Sequence, residues 1–184
     1  GFCVLHGSAI SLNGKSIILC GLSGSGKSQL IYELSKKYKF ISDDIVAINF
    51  LDGSAYCPPG LPFICAQDEN SKKIENDKRK RSFIHIGKSH CENNTTIVDK
   101  IFFLNWGYEN NFEEMTDEKI FKKLILNSFR PLPQGSSLKS EEIYLDNIAK
   151  LVTTSKFYDF ITKNFFGNNC SFNNSNCNSF IFYF

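Results

Sequence analysis

No stretch of this 184-residue chain holds the roughly 18 consecutive apolar residues that a membrane-spanning helix needs, so it is expected to fold in water. Its seven cysteines, Cys3, Cys20, Cys57, Cys65, Cys91, Cys170 and Cys177, contain no C-x-x-C pair, and an odd count argues against a closed disulfide framework. A reducing, cytoplasmic compartment is expected, with Cys3 and Cys20 serving as small apolar strand residues. Charge of one sign is also scarce. The 21 Lys and Arg nearly match the 19 Asp and Glu, and no basic face with interleaved aromatics stands out, which argues against nucleic acid as a partner. Internal repeats are absent.

What is present is ordinary globular composition, 42% apolar and 22% charged, with an unusual 18 Phe. The length suits one domain, assigned to residues 1–166, followed by an Asn-rich, low-complexity tail, 167–184, that carries no assigned chemistry.

The segment FCVLHGSAISL, residues 2–12, is β-prone, and Asn13-Gly14 is the dipeptide most favoured in a tight hairpin, so SIILC should return as a second strand. Leu30, Ile31, Leu34 and Tyr38 then mark one face of a short helix over about Lys27 to Lys37. Lys39 to Phe50 reads as one strand containing Asp43-Asp44, with a turn at Asp52-Gly53 before SAYC. Residues 58–94 lose the pattern and read as a long functional loop. IVDKIFFLNW is the next strand. Thr116 stands where it can cap a helix that buries Ile120, Phe121, Leu124 and Ile125, and a last helix from Ser140 through the 150s uses Ile143, Ile148, Leu151 and Val152.

Between the second strand and the first helix lies GLSGSGKSQ: Gly21, Leu22, Ser23, Gly24, Ser25, Gly26, Lys27, Ser28 and Gln29. It fits the phosphate-loop pattern G-x-x-x-x-G-K-[ST]. Glycines let the backbone curl until several N–H groups face one anion, at the positive end of the helix that starts there. Lys27 adds a mobile charge for the β- and γ-phosphates of ATP, and the Ser28 hydroxyl is suited to Mg²⁺. The plain alternative is a Gly/Ser-rich turn. Asp43-Asp44 follows where such proteins place an acid near the metal; alternation along a strand would send one carboxylate to the metal and the other to an attacking hydroxyl. A solvated turn pair is the competing reading. His6 alone would read as a hydrogen-bonded core residue.

Together, HGSAISLNGKSIILCGLSGSGKSQL and FISDD, about residues 4 to 50, resemble the core of HPr kinase/phosphorylase and the related HPr-kinase-like proteins. The resemblance implies an α/β P-loop domain, HPr-kinase-like (phosphoenolpyruvate-carboxykinase-like), with a mixed sheet. It implies ATP and Mg²⁺ as cofactors and a protein or peptide Ser as acceptor, and leaves a homo-oligomer open. It makes His6 an active-site residue, Lys27 the loop lysine, Ser28 a metal-binding serine, Asp44 the base that takes the serine proton, and Asp43 a support for metal or for His6. Residues 58–94 lack the Glu-x-x-Gly signature and the Arg-bearing segment of the bifunctional enzymes, so neither phosphorolysis nor HPr itself is expected. The basic run Ser71 to Arg81 reads as a solvated segment or, through Arg79 or Arg81, as a source of transition-state charge. His85 and His90 read as strand and loop residues. The expected activity is phosphorylation of a hydroxyl; the alternatives are a nucleotide-binding regulatory protein without catalysis and a mechanochemical ATPase fragment.

Overall fold

Asn13 and Gly14, at φ 51° and 77°, make the tight turn that joins β1 (Phe2–Leu12) to β2 (Lys15–Gly21) in antiparallel register, Leu12 opposite Lys15. The computed structural model describes residues 2–65, 72–73, 82–107, 111–128 and 138–163, with backbone alone at 72–73, 106, 138–140 and 162–163. Most of the basic run 71–81, with Arg79 and Arg81, and the whole tail 167–184 lie outside the described residues.

After β2 comes α1 (Lys27–Ser35), which buries Leu30, Ile31 and Leu34 as its spacing requires. The segment expected as one strand from Lys39 to Phe50 is two strands, β3 (Lys39–Ser42) and β4 (Ile45–Leu51), parted at the acidic pair. Both lie antiparallel along β1, with Ala9 opposite Ser42 and His6 opposite Ile45 in one register across the break, and the register shifts by one residue beyond it, where Ile10 faces Phe40. Its cause is local: Asp44 has φ 68°, outside the β region. A second turn of left-handed residues, Asp52 and Gly53 at φ 48° and 75°, leads into β5 (Ser54–Cys57).

Residues 58–94 are not simply a loop. They carry β6 (Phe63–Ile64), β7 (Lys72–Lys73) and β8 (Ser82–His85), which form a small sheet in the order β6-β8-β7. Strands of two to four residues are too short for alternation to reveal, yet Ile64, Ile84 and the following Ile86 are buried. His85 lies on β8, and His90 in a single 3₁₀ turn, Lys88–His90.

The expected IVDKIFFLNW strand is β9 (Thr96–Gly107). Beyond it come β10 (Asn111–Glu114), α2 (Asp117–Asn127), α3 (Leu138–Thr154) and β11 (Lys156–Lys163), of which β10 and β11 had no counterpart in the sequence pattern. The main sheet runs β10-β11-β9-β2-β1-β4-β5, with β3 on β1, and is mixed: β2, β9 and β11 are mutually parallel neighbours and the other pairings are antiparallel. β5 also pairs with the start of β9, Tyr56 opposite Ile97, closing a circuit through β9, β2, β1, β4 and β5. At that closure the buried Ser16 and Thr96 hydroxyls bond each other, so no polar atom of that pair is left dry.

Alternation along the central strands divides the core in two. Ile18, Cys20, Ile101 and Phe103 face α2 and α3 through Ile120, Leu124, Ile148 and Leu151; Ile17, Leu19, Phe102 and Leu104 face α1 and the small sheet. Cys3 and Cys20 are buried strand residues, and burial pushes both thiols up to about 12. Two apolar expectations fail. Phe121 and Ile143 are exposed, because the two helices bury narrower stripes than their apolar content allows. Thr116 stands at the N-cap of α2 but makes no side-chain cap bond; Asp117 and Glu118 supply the favourable charge there. Among the described residues no helix is long and apolar enough to cross a membrane.

Leu124 and Leu126 on α2 test this seating. Leu124→Ala, at 0% exposure, should cost about 2–5 kcal/mol in urea unfolding. Leu126→Ala, at 71% exposure, should stay within about 0.5 kcal/mol of the parent.

Candidate active site

The loop Gly21–Ser28 leaves the C-terminal end of β2, whose parallel neighbour β9 places Leu104 opposite Gly21. Gly21, Gly24 and Gly26 have φ of 148°, 83° and 89°, conformations that explain glycine at these positions. At Gly21 a Cβ would also come 2.7 Å from the Leu104 carbonyl oxygen. Gly26 is the N-cap of α1 and, lacking a side chain, offers no cap; the first turn holds no acid. The amides and positive dipole end of α1 are therefore available to an anion.

Two further features suit a phosphate. Among the described residues the buried Ser25 hydroxyl has no hydrogen-bond partner, the cost of which a ligand oxygen would relieve. Lys27 is buried and folds back on the loop, donating to the carbonyl oxygens of Gly21 at 2.8 Å and Leu22 at 3.0 Å. Burial lowers its pKa from 10.5, opposed by Asp43 and Asp44 among its neighbours. Leu22, Ser23 and Gly24 are exposed at the rim, while Ser28 and Gln29 are half-buried in the first turn of α1.

The two acids have separate surroundings. Asp43 is turned inward: its Oδ1 accepts from Ser8 Oγ at 2.5 Å and Ser28 Oγ at 3.0 Å, and its Oδ2 from the Cys65 N–H at 2.8 Å. Burial raises its pKa above 3.8, while those three donors pull it down. Asp44 is turned outward, with its side chain 53% exposed, and His6 Nδ1 lies 3.3 Å from its Oδ1 and 3.2 Å from its carbonyl oxygen. Both are acceptors, so a ring with hydrogen on Nδ1 satisfies the geometry.

β1 brings these partners together. His6 and Ser8 are two residues apart on one face, and each addresses one acid. Gly7 between them lets β1 and β2 close up, since a Cβ there would lie 2.8 Å from the Leu19 carbonyl oxygen. Its N–H donates to the Asp44 carbonyl at 3.3 Å. His6 thus meets Asp44, while Ser28 meets Asp43.

A hydroxyl and a carboxylate 3.0 Å apart are hard oxygen donors of the kind Mg²⁺ takes alongside water and phosphate oxygens. Among the described residues no group of three or more His, Cys, Asp or Glu gathers as a metal cage. His85 packs edge-on against Phe63.

Two participants escaped the sequence reading. Ser8 was within reach of it, being two positions beyond His6 on a strand. Asn127, whose Oδ1 accepts from the Gly21 N–H at 3.0 Å across 106 residues, was not.

No family model and no curated protein matches the chain. Among solved structures it is similar to the HPr(Ser) kinase/phosphatase from Coxiella burnetii, at 8% identity over 87% of this chain and 85% of that one, with a TM-score of 0.48. A likeness that slight fixes neither fold nor chemistry.

Ser8→Ala tests the inward carboxylate. The serine hydroxyl bonds the charged form of Asp43, so its contribution is present once Asp43 is ionised and is lost as pH falls through the carboxyl's raised pKa. The variant should lose about 1.5–3 kcal/mol at neutral pH, and clearly less at pH 3, in paired urea titrations. A loss independent of pH would mean that Ser8 serves packing alone.

Proposed function

We propose that this chain is an ATP- and Mg²⁺-dependent kinase that phosphorylates a hydroxyl, most simply a serine of a protein or peptide. The observation that carries the reading is the division of labour between the adjacent acids: Asp43 faces the Ser28 hydroxyl beside the phosphate loop, and Asp44 faces solvent beside His6. A loop that only binds or hydrolyses nucleotide has no use for a second, outward carboxylate with its own histidine. The sequence resemblance to HPr-kinase-like proteins over about residues 4 to 50 supports the same assignment.

In this reading the amides of residues 22–28 and the Ser25 hydroxyl hold the phosphates, and Lys27 exchanges its two loop carbonyls for phosphate oxygens. Ser28 and Asp43 are the residues that would hold Mg²⁺. When bound, the metal nucleotide supplies the γ-phosphoryl group and offsets its charge. Asp44 accepts the proton of the acceptor hydroxyl, whose oxygen then takes the phosphoryl group as ADP leaves. His6, with Nδ1 toward Asp44, orients that carboxylate. The protein's contribution is positioning and electrostatics.

A non-catalytic nucleotide-binding role is the second reading, favoured by the missing Glu-x-x-Gly signature in residues 58–94.

Three variants assayed with labelled ATP and serine peptides separate the roles. Lys27→Ala should lose both nucleotide binding and transfer. Asp44→Asn should keep nucleotide affinity by calorimetry while transfer falls about 10²–10⁴-fold. Asp43→Asn should raise the Mg²⁺ requirement. Transfer at the wild-type rate by Asp44→Asn would remove the proton-acceptor role; an absence of transfer to every acceptor by the parent, with binding intact, would leave the non-catalytic reading.

A further inference from the structure

Gly21 is gripped from two sides. Its carbonyl accepts from Lys27 at 2.8 Å, and its N–H donates to Asn127 Oδ1 at 3.0 Å. Lys27 must leave that carbonyl to serve a phosphate, whereas nothing in phosphate binding requires Asn127 to move. Asn127 is itself held, donating from Nδ2 to the Lys123 carbonyl at 2.8 Å. The Lys123 ammonium pairs with Asp159 on β11 and lies 5.4 Å from the centre of the Phe103 ring on β9. Asp159 Oδ1 also accepts from Asn105 Nδ2 at 2.6 Å, and Asn105 follows Leu104, the strand partner of Gly21.

From this arrangement we infer that Asn127 is a positioning residue for the phosphate loop. It fixes the first glycine through the last turn of α2, so that Lys27 is released to a nucleotide without the loop losing its shape. The inference rests on the proposed nucleotide site and adds to it a control from an element that carries no phosphate-binding motif. A loop kept in its binding shape loses less freedom when ligand arrives, so the effect belongs to nucleotide affinity. Chemistry at Asp44, on the other side of β1, is left alone.

The test uses Asn127→Ala and Asn127→Asp in the full chain, read by amide exchange, by ATP binding with Mg²⁺, and by steady-state transfer. In Asn127→Ala the Gly21 amide should exchange about 3–10-fold faster while the Leu19 amide on β2 is unchanged, the size expected for one lost hydrogen bond. ATP should bind about 3–10-fold more weakly, with KM raised by that factor and kcat close to the parent's. Asn127→Asp keeps the acceptor oxygen and should retain protection at Gly21, which decides the matter even if the alanine variant does not fold. Unchanged exchange at Gly21 in the alanine variant, unchanged ATP affinity there, or lost protection in the aspartate variant overturns the inference. Parent protein that binds no ATP removes the nucleotide site itself, and the inference with it; parent that binds ATP no better than Asn127→Ala removes the inference alone.

Discussion

The break between β3 and β4 is the constraint on which the site depends. A continuous strand would place Asp43 and Asp44 on opposite faces of the sheet, each committed to a packed layer. With Asp44 at φ 68° the backbone instead turns at this point, Asp43 points to the loop and Asp44 to solvent. A non-glycine residue in that region costs about 1–3 kcal/mol and persists only where neighbours hold it. Here they do: the Asp44 carbonyl accepts from the Gly7 N–H and faces His6 Nδ1, and the residues flanking the break, Ser42 and Ile45, pair with Ala9 and His6 of β1 in one register. Aspartate is among the few residues that tolerate this conformation at modest cost.

The rest of the fold serves to bring β1 against that break. Parallel pairing of β2 with β9 sets the phosphate loop at one end of the sheet, and antiparallel pairing of β1 with β2 returns the His6-Gly7-Ser8 segment to the same end. Gly7 is a packing requirement of that return. The segment from Gly60 to Cys65 closes the inner side, with the Gly60 N–H on the Ile41 carbonyl and the Cys65 N–H on Asp43. Asp43 thereby ends with three donors, which offset part of the upward push that burial gives its carboxyl.

Interactions that are local in sequence were readable from the residues themselves. The Asn13-Gly14 and Asp52-Gly53 turns need positive φ at both positions, which few other dipeptides supply, and the glycines of the phosphate loop encode their curl in the same way. The apolar spacing of Leu30, Ile31 and Leu34 specifies which face of α1 is buried before any partner exists.

Tertiary structure alone decided what depends on neighbours distant in the chain. Strands as short as β6 and β8, and β11 beside β9, are stabilised by a register with other strands that no local period announces. The same holds within the site. Sequence placed Asp43 and Asp44 side by side, but their separation into an inward and an outward carboxylate comes from hydrogen bonds to Ser8, Ser28, Cys65, Gly7 and His6, formed only when β1 lies against the break. Asn127 reaches Gly21 because α2 packs on the sheet face beneath the loop, and a side-chain amide carries no motif by which such a contact could be foreseen.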